Sequence, residues 1–453
     1  MSTPGAYRRY HIATERTPNI VLAPPRFRVL VKKHRLAQLL LKELIHFRGN
    51  LPVVLSRPCV YGVFSGPVGG FAPREELCVG CLRCTVQYPE VVQIDHNPER
   101  AWLGDSYLVP EYVARILYEA TTGRVPVHGA GYRGPFGGDG WDGMWLDMSE
   151  IVRPTRDGIH GREFISTSVD IGEKPAVVRI AEDGSALGPT PRLLALQLPF
   201  LFDTAPSAVQ TIVAEAAREL ETLAVVPVES SPAGGHVVPL VDHSTWPLLN
   251  RLAEQPAMVA LDGWNQTAYR ELGRRFPESL VCVRVPADAD VLEPVRAGAR
   301  VLHLLADYHG QVGERFVLDL AREAHERLVE AGVREEVTLI GSGGIVLAEH
   351  VPKAIVCGLD AVALDTALWV ALQGRFLGEC RDRDAAHVSF GRMTTEWGVR
   401  RLRNLSASWR DQLLEVLGAM GMREVRRLRG ELGRCMFQHD LEREAFEGIE
   451  GYA

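Results

Sequence analysis

Cys78, Cys81 and Cys84 recur at intervals of three residues, and a further thiol, Cys59, lies upstream. Thiolates at this spacing on one tight loop can hold three corners of an iron–sulfur cube. Zinc sites favour paired two-cysteine knuckles instead. This chain has no second Cys-x-x-Cys outside the run Cys78–Cys84. A 4Fe-4S cluster is therefore expected over a 3Fe-4S form, with Cys78, Cys81 and Cys84 among its ligands. Cys282 and Cys357 sit in apolar runs and read as small buried hydrophobes. A disulfide framework does not suit a long chain with a cluster motif.

The run resembles the three-ligand half of a bacterial ferredoxin motif. Where that motif has a fourth Cys before Pro, this chain has Tyr88-Pro89. In two-cluster ferredoxins that fourth Cys serves the other cluster. Its loss implies one remaining cluster completed from upstream, and Cys59 lies 19 residues before Cys78. One departure is that Pro58 precedes Cys59 rather than following it.

A second group of residues has the pattern of a phosphate site. Gly341-Ser342-Gly343-Gly344 follows one apolar run, and Asp365-Thr366-Ala367 follows the next. Glycines let backbone N–H groups approach phosphate oxygens, and a following helix N-terminus adds a favourable dipole. The pair of segments resembles the phosphate loops of flavin mononucleotide (FMN) barrels. A plain glycine turn, or a site for a phosphorylated substrate, is the alternative.

The elements that must position these groups follow from periodicity. From residue 190, short apolar runs alternate with helical periods. The runs are Leu193–Leu198, Leu223–Val228, His236–Val241, Met258–Leu261, Leu280–Val285, Val301–Leu305, Val337–Ile340 and Ala361–Leu364. Eight strands alternating with helices such as 207–220 and 315–332 predict a parallel (β/α)8 TIM barrel. The third run follows the second too closely for a helix, so a doubly wound open sheet is the alternative fold. Ahead of the barrel we expect a basic segment (1–50), a cluster domain (51–100) and a glycine-rich connector (101–190). The barrel spans 191–376, and a helical tail (377–453) follows, with helices at 397–405, 409–417 and 423–432. Gly129 to Gly134 matches a dinucleotide fingerprint letter for letter, but Pro135 prevents the required helix. That stretch reads as a connector packed closely on something.

Three segments resemble the FMN-binding domain of glutamate synthases, especially archaeal-type and stand-alone forms. They are Glu150 to Gly172, residues 337–374, and Glu396 to Asn404 continuing through Phe437. The resemblance implies an FMN passing electrons between an iron–sulfur centre and an imine, at an amino acid or 2-oxo acid. It implies a phosphate site at Ser342, Gly343, Gly344, Asp365 and Thr366. It places Arg284 where a family lysine would face the flavin's pyrimidine edge. The departures are as informative. The family's Gly-Gly-Thr-Gly turn is replaced by Asp307 to Glu314, and the loop 229–236 keeps only part of an acidic glycine motif. The family's own post-barrel cysteine cluster is absent, and no N-terminal glutaminase nucleophile is visible. Ammonia from glutamine would need a separate glutaminase subunit, and electrons a donor subunit. Glu229, Asp262, Asp307 and His309 are the acid–base candidates at strand ends. Asp307 and His309 come first, because they sit where the family turn has changed, with Glu229 beside them as a catalytic candidate.

The net charge of −7 does not favour nucleic acid as partner. Residues 1–50 carry ten Lys/Arg against two acids, +8, which leaves −15 for the rest. A basic arm beside an acidic body suggests docking, within an oligomer or a larger complex. The run Leu36 to Phe47 is interrupted by Gln38, Lys42, Glu43 and His46 and reads as an amphipathic helix, not a membrane span. With no apolar leader in the first 20 residues, a cytoplasmic location is expected.

Overall fold

The computed structural model describes residues 24–55, 59–125, 137–148, 164–174, 179–187, 191–230, 235–242, 244–251 and 255–450. The residues Gly129 to Gly134, most of Glu150 to Gly172, and 231–234 of the loop 229–236 lie outside these.

Eight parallel strands close into a barrel. They are Phe200–Phe202, Ala224–Pro227, Val237–Val241, Met258–Asp262, Leu280–Pro286, Val301–Leu305, Thr338–Ser342 and Ala361–Leu364, first to eighth. Closure is made where Val362 of the eighth pairs with Phe200 of the first. Helices cover the outside, among them Gln210–Glu219 and Val317–Glu330. Strands buried on both faces read as continuous apolar runs, which is why seven of the eight stand out in the sequence. Between the second and the third the described residues include the 3-10 turn Val228–Ser230, and the barrel closes regardless.

The first strand differs from expectation. Leu193–Leu196 lies outside the barrel and pairs antiparallel with Val169–Gly172. Leu193 and Ala195 are exposed, the alternation of a half-covered ribbon, whereas Phe200–Phe202 is buried throughout. Pro199 separates the two. The tail differs as well. The helices expected at 397–405 and 409–417 are one helix, Thr395–Ala419, capped where Thr394 Oγ1 accepts from the Trp397 N–H. Residues 423–432 are not an α-helix. Ser166 takes their backbone bonds, donating to Arg423 O and accepting from Val425 N. Cys435–Phe437 then pairs antiparallel with Met144–Leu146.

A small module precedes the barrel. Phe27–Val31 pairs antiparallel with Val92–His96, and Lys33–His46 is the amphipathic helix. Val29, Val63, Val91 and Val92 form its core with Cys78. The module thus begins inside the stretch read as a basic arm. The helix Pro110–Thr122 leads away from it and packs against Thr395–Ala419 through Arg401, Asn404 and Trp409. Among the described residues no helix is long and apolar enough to cross a membrane.

Candidate functional site

The four cysteines of the module line one small cavity with Val29, Val63 and Ile94. Two backbone features turn the loop so that its thiols converge. Gly80 has φ +70, and a Cβ there would meet the Phe27 ring at 2.3 Å. Leu82 also takes the left-handed conformation, at φ 57, before the short helix Arg83–Gln87. Burial pushes the Cys78 thiol up, and the other three cysteines add to that rise. A cation among them would reverse this effect. A single zinc ion would draw its thiolates to within about 4 Å of one another. Among the described residues no three of these sulfurs lie within 4.8 Å of one another. The four thiols thus converge on one cavity. Cys282 and Cys357 are buried as their apolar runs imply.

At the C-terminal end of the barrel, charged groups meet across the lumen. Arg284 of the fifth strand reaches Asp203, just past the opposite first strand, at 2.9 Å. The Arg383 guanidinium lies over the Tyr308 ring at 4.6 Å from its centroid. It donates to Ala306 O at 2.7 Å, Asp203 Oδ2 at 3.0 Å, Ser342 Oγ at 3.0 Å and Asp365 Oδ2 at 3.2 Å. Burial would raise the Asp203 carboxyl, but Arg284 and Arg383 outweigh it and hold it below the usual carboxylate range. Asp365 goes the other way. Burial pushes it up to about 6, with Arg383 opposing and Asp203 adding to the rise. His303, paired with Arg284 on the neighbouring strand, is lowered to about 3, chiefly by burial.

The residues predicted for a flavin are gathered here. Gly343 and Gly344 take φ +116 and +67, so the turn after the seventh strand needs glycine. Arg284 lies within its strand and is buried, not exposed at the rim. Its Nε, a donor, and His303 Nε2 are buried with no protein partner, polar atoms that suit the polar edge of a ring. The phosphate end is different. Asp365 caps the short helix Thr366–Ala371, accepting from Thr366 N at 2.5 Å and from Thr366 Oγ1 at 3.2 Å. Donors that a phosphate would use are therefore held by a carboxylate of the chain itself. The glycine turn is fixed by packing too. Trp141 Nε1 donates to Gly343 O, Tyr107 Oη to Gly344 O, and Gly344 N to Tyr308 O. The ring end offers polar atoms that suit a flavin, whereas at the phosphate end the buried Asp365 carboxylate holds the Thr366 donors and does not fit a phosphate.

The acid–base candidates divide. Asp307 Oδ1 accepts from His309 N and Gln311 N, and its Oδ2 accepts from Arg381 at 2.6 Å, so it shapes its own turn. His309 is buried, with Nε2 at 2.8 Å from Asp105 Oδ2 and its ring stacked on Tyr107. Glu229 follows the strand opposite theirs and is exposed, as is Asp262. Asp105, Tyr107, Asp203, His303 and Arg383 were missed. Asp203 ends the run Phe200–Phe202 and was hidden by placing the first strand too early. Arg383 gives no local signal, because its partners lie up to 180 residues away.

The model of the family described as the conserved region in glutamate synthase matches residues 307–423. The archaeal glutamate synthase [NADPH] of Methanocaldococcus jannaschii is 34% identical over 155 residues, 33% of this chain and 30% of that one. The archaeal-type glutamate synthase [NADPH] of Dehalococcoides mccartyi is 23% identical over 437 residues, 79% of this chain and 86% of that one. For several other curated relatives the match spans about a third of their length. Among solved structures, a mandelate oxidase with benzoyl-formic acid aligns at TM-score 0.38 and 16% identity, over 63% of this chain and 97% of that one. The stretch that matches the conserved region in glutamate synthase thus runs from the sixth-strand turn through the seventh and eighth strand ends into the long C-terminal helix.

Proposed function

We propose that this chain is an FMN- and iron–sulfur-dependent oxidoreductase of the glutamate synthase type, forming or breaking a C–N bond at an amino acid or 2-oxo acid. One observation carries the reading. The stretch similar to glutamate synthase, 307–423, supplies Tyr308, Ser342, Gly343, Asp365 and Arg383, which build the barrel mouth. The converging cysteines supply a second redox site on the same chain. Bound FMN would supply hydride chemistry at an imine carbon, and a cluster single-electron steps.

The chain's own residues give the frame for this. Arg284 Nε and His303 Nε2 are buried polar atoms with no protein partner, open to a ligand. Asp105 orients His309 at the turn where a proton donor would stand. The working protein would sit in the cytoplasm, act on a small molecule, and belong to an oligomer or complex, without nucleic acid or membrane. A separate glutaminase or electron-donor subunit would complete it. The test is a visible spectrum of anaerobically purified protein, with iron, sulfide and flavin counted per chain. About four irons with one FMN support the reading, and absence of flavin under FMN supplementation removes it. The self-satisfied ion network at the mouth favours one second reading, a non-catalytic electron-transfer or assembly subunit. A reducible cluster in a protein that turns over no amino acid or 2-oxo acid would select it.

A further inference from the structure

A cavity of about 840 Å³ lies outside the barrel, between the helix Pro110–Thr122, the start of the helix Thr395–Ala419 and the ribbon of Arg375–Phe376 with Val388–Ser389. Its walls are largely apolar, with Val113, Leu117, Leu372, Phe390 and Trp397 among them. That volume is in the range that holds a small-molecule ligand. Arg375 and Arg392 also line it, and no carboxylate does. Both arginines are exposed, and among the described residues neither makes an ion pair.

A third arginine stands against this lining. Arg401 is only 5% exposed. Its guanidinium faces the Trp397 ring at 4.9 Å, and its Nε donates to Ala371 O, between the lining residues Val370 and Leu372. Its Nη1 donates to Thr121 Oγ1 at 2.9 Å, while Nη2 is buried with no protein partner. Burial lowers the guanidinium to about 10, Arg400 adds to the fall, and no carboxylate opposes it. The other buried arginines among the described residues are neutralised: Arg115 by Glu349 and Glu119, Arg284 by Asp203, and Arg334 by Asp360. A buried cation without a counter-ion is costly, so a missing anion at Arg401 calls for an explanation.

We infer that this cavity is a binding site for a monocarboxylic acid with an apolar body. The apolar walls take the body, Arg375 and Arg392 take the carboxylate at the entrance, and its charge compensates Arg401 across the Trp397 wall. Arg375 and Arg392 are already solvated, whereas one desolvated guanidinium calls for one negative charge. Compensation needs no direct contact, because charges are weakly screened across an apolar wall. None of the residues that build the barrel mouth lines this cavity, and the inference depends on neither flavin nor cluster.

The experiment titrates the full chain with octanoate, and with octan-1-ol, which has the same body and no charge, by calorimetry at constant ionic strength. The unaltered chain is expected to bind octanoate at a single site, about tenfold or more tightly than octan-1-ol, the effect of a hydrogen bond to a charged group. The double variant Arg375→Gln with Arg392→Gln alters only exposed side chains and should erase that preference. Arg401→Gln keeps a donor for Ala371 O and should weaken octanoate while leaving octan-1-ol unchanged. Arg400→Gln, an exposed arginine of the same helix outside the lining, is the control and should keep the full preference. Thermal melts report folding, and the double variant tests the site even where Arg401→Gln does not fold. Octanoate unbound, or bound no better than octan-1-ol by the unaltered chain, overturns the site. A preference that survives in the double variant, or falls equally in Arg400→Gln, reflects diffuse surface charge and overturns it as well.

Discussion

Cys81 is the exposed member of the four thiols, while Cys78 is buried and Cys59 and Cys84 are partly covered. If all four ligate one cluster, each serine variant should lose cluster absorbance and iron together, although the fold around Cys81 has little packing to lose. Cys81→Ser is therefore the sharper test. It should abolish the visible absorption and most of the iron, with the melting temperature of the barrel unchanged. Cys435→Ser, far from the module in the strand Cys435–Phe437, is the control and should retain both. Full iron in Cys81→Ser would remove it from the ligand set. At the barrel mouth, His309 is the group whose role the geometry most sharpens. It is held from the side of the cluster module by Asp105 and Tyr107. As the proton donor, its replacement by alanine should lower turnover by about 10²–10⁴ and leave flavin content unchanged. Turnover equal to that of the unaltered chain would reduce His309 to a contact that anchors the segment 103–109.

At the scale of elements, the turn after the seventh strand concentrates the constraints. Gly343 has φ +116, and a Cβ there would meet Ala306 Cβ and Asp307 O, both at 2.7 Å. Gly343→Ala should therefore destabilise the chain by about 2 kcal/mol or more, through backbone strain together with overpacking. Gly433→Ala, where nothing lies within 4 Å, should cost far less. Denaturant midpoints of the two variants compare them directly, and equal midpoints would mean that the turn relaxes freely. The same turn shows what was legible in the sequence. Its glycines, and the apolar runs on either side, identified a seventh and an eighth strand with a glycine turn between them. Burial on both faces made those runs continuous. The ribbon Leu193–Leu196 deceived because a short apolar run does not reveal which partner covers it. The strand Cys435–Phe437 and the bonds of Ser166 to Arg423 and Val425 depend on partners hundreds of residues away, and no local period encodes them. Arg383 was illegible for the same reason: its meaning lies in a cluster of strand ends assembled only by barrel closure.

For the whole molecule, the helix Pro110–Thr122 is the clasp between the cluster module, the barrel and the C-terminal helix. Arg115 makes a paired contact with Glu349 at 2.6 and 2.7 Å and also reaches Gln412 at 3.0 Å. Glu119 accepts from Trp409 Nε1 at 2.8 Å and from Arg115 Nε at 3.3 Å, and is fully buried. Burial raises the Glu119 carboxyl to about 7 from an ordinary 4.5, against the opposing pull of Arg115 and Trp409. The folded chain binds this proton more tightly than the unfolded chain, so the stabilisation is complete below about 4.5 and is lost as pH rises through about 7. Asp365 acts in the same sense, between its ordinary 3.8 and about 6. Asp203 and Asp360 are depressed by guanidinium neighbours, and Asp142 by its hydrogen bond with His350, against their burial, so their contribution is present above about 3.8 and fails only in stronger acid. The unaltered chain should therefore weaken between about pH 4 and about pH 7 and level off above that, by at most about 1.4 kcal/mol per pH unit for each group. Glu119→Gln keeps an acceptor for Trp409 and leaves Arg115 with Glu349, so it should fold, flatten that decline and gain stability over the unaltered chain only at the alkaline end. Urea midpoints followed by tryptophan fluorescence, at constant ionic strength, measure both curves. Parallel curves for the two proteins would mean that Glu119 is ionised in the folded state throughout, with Arg115 and Trp409 outweighing its burial.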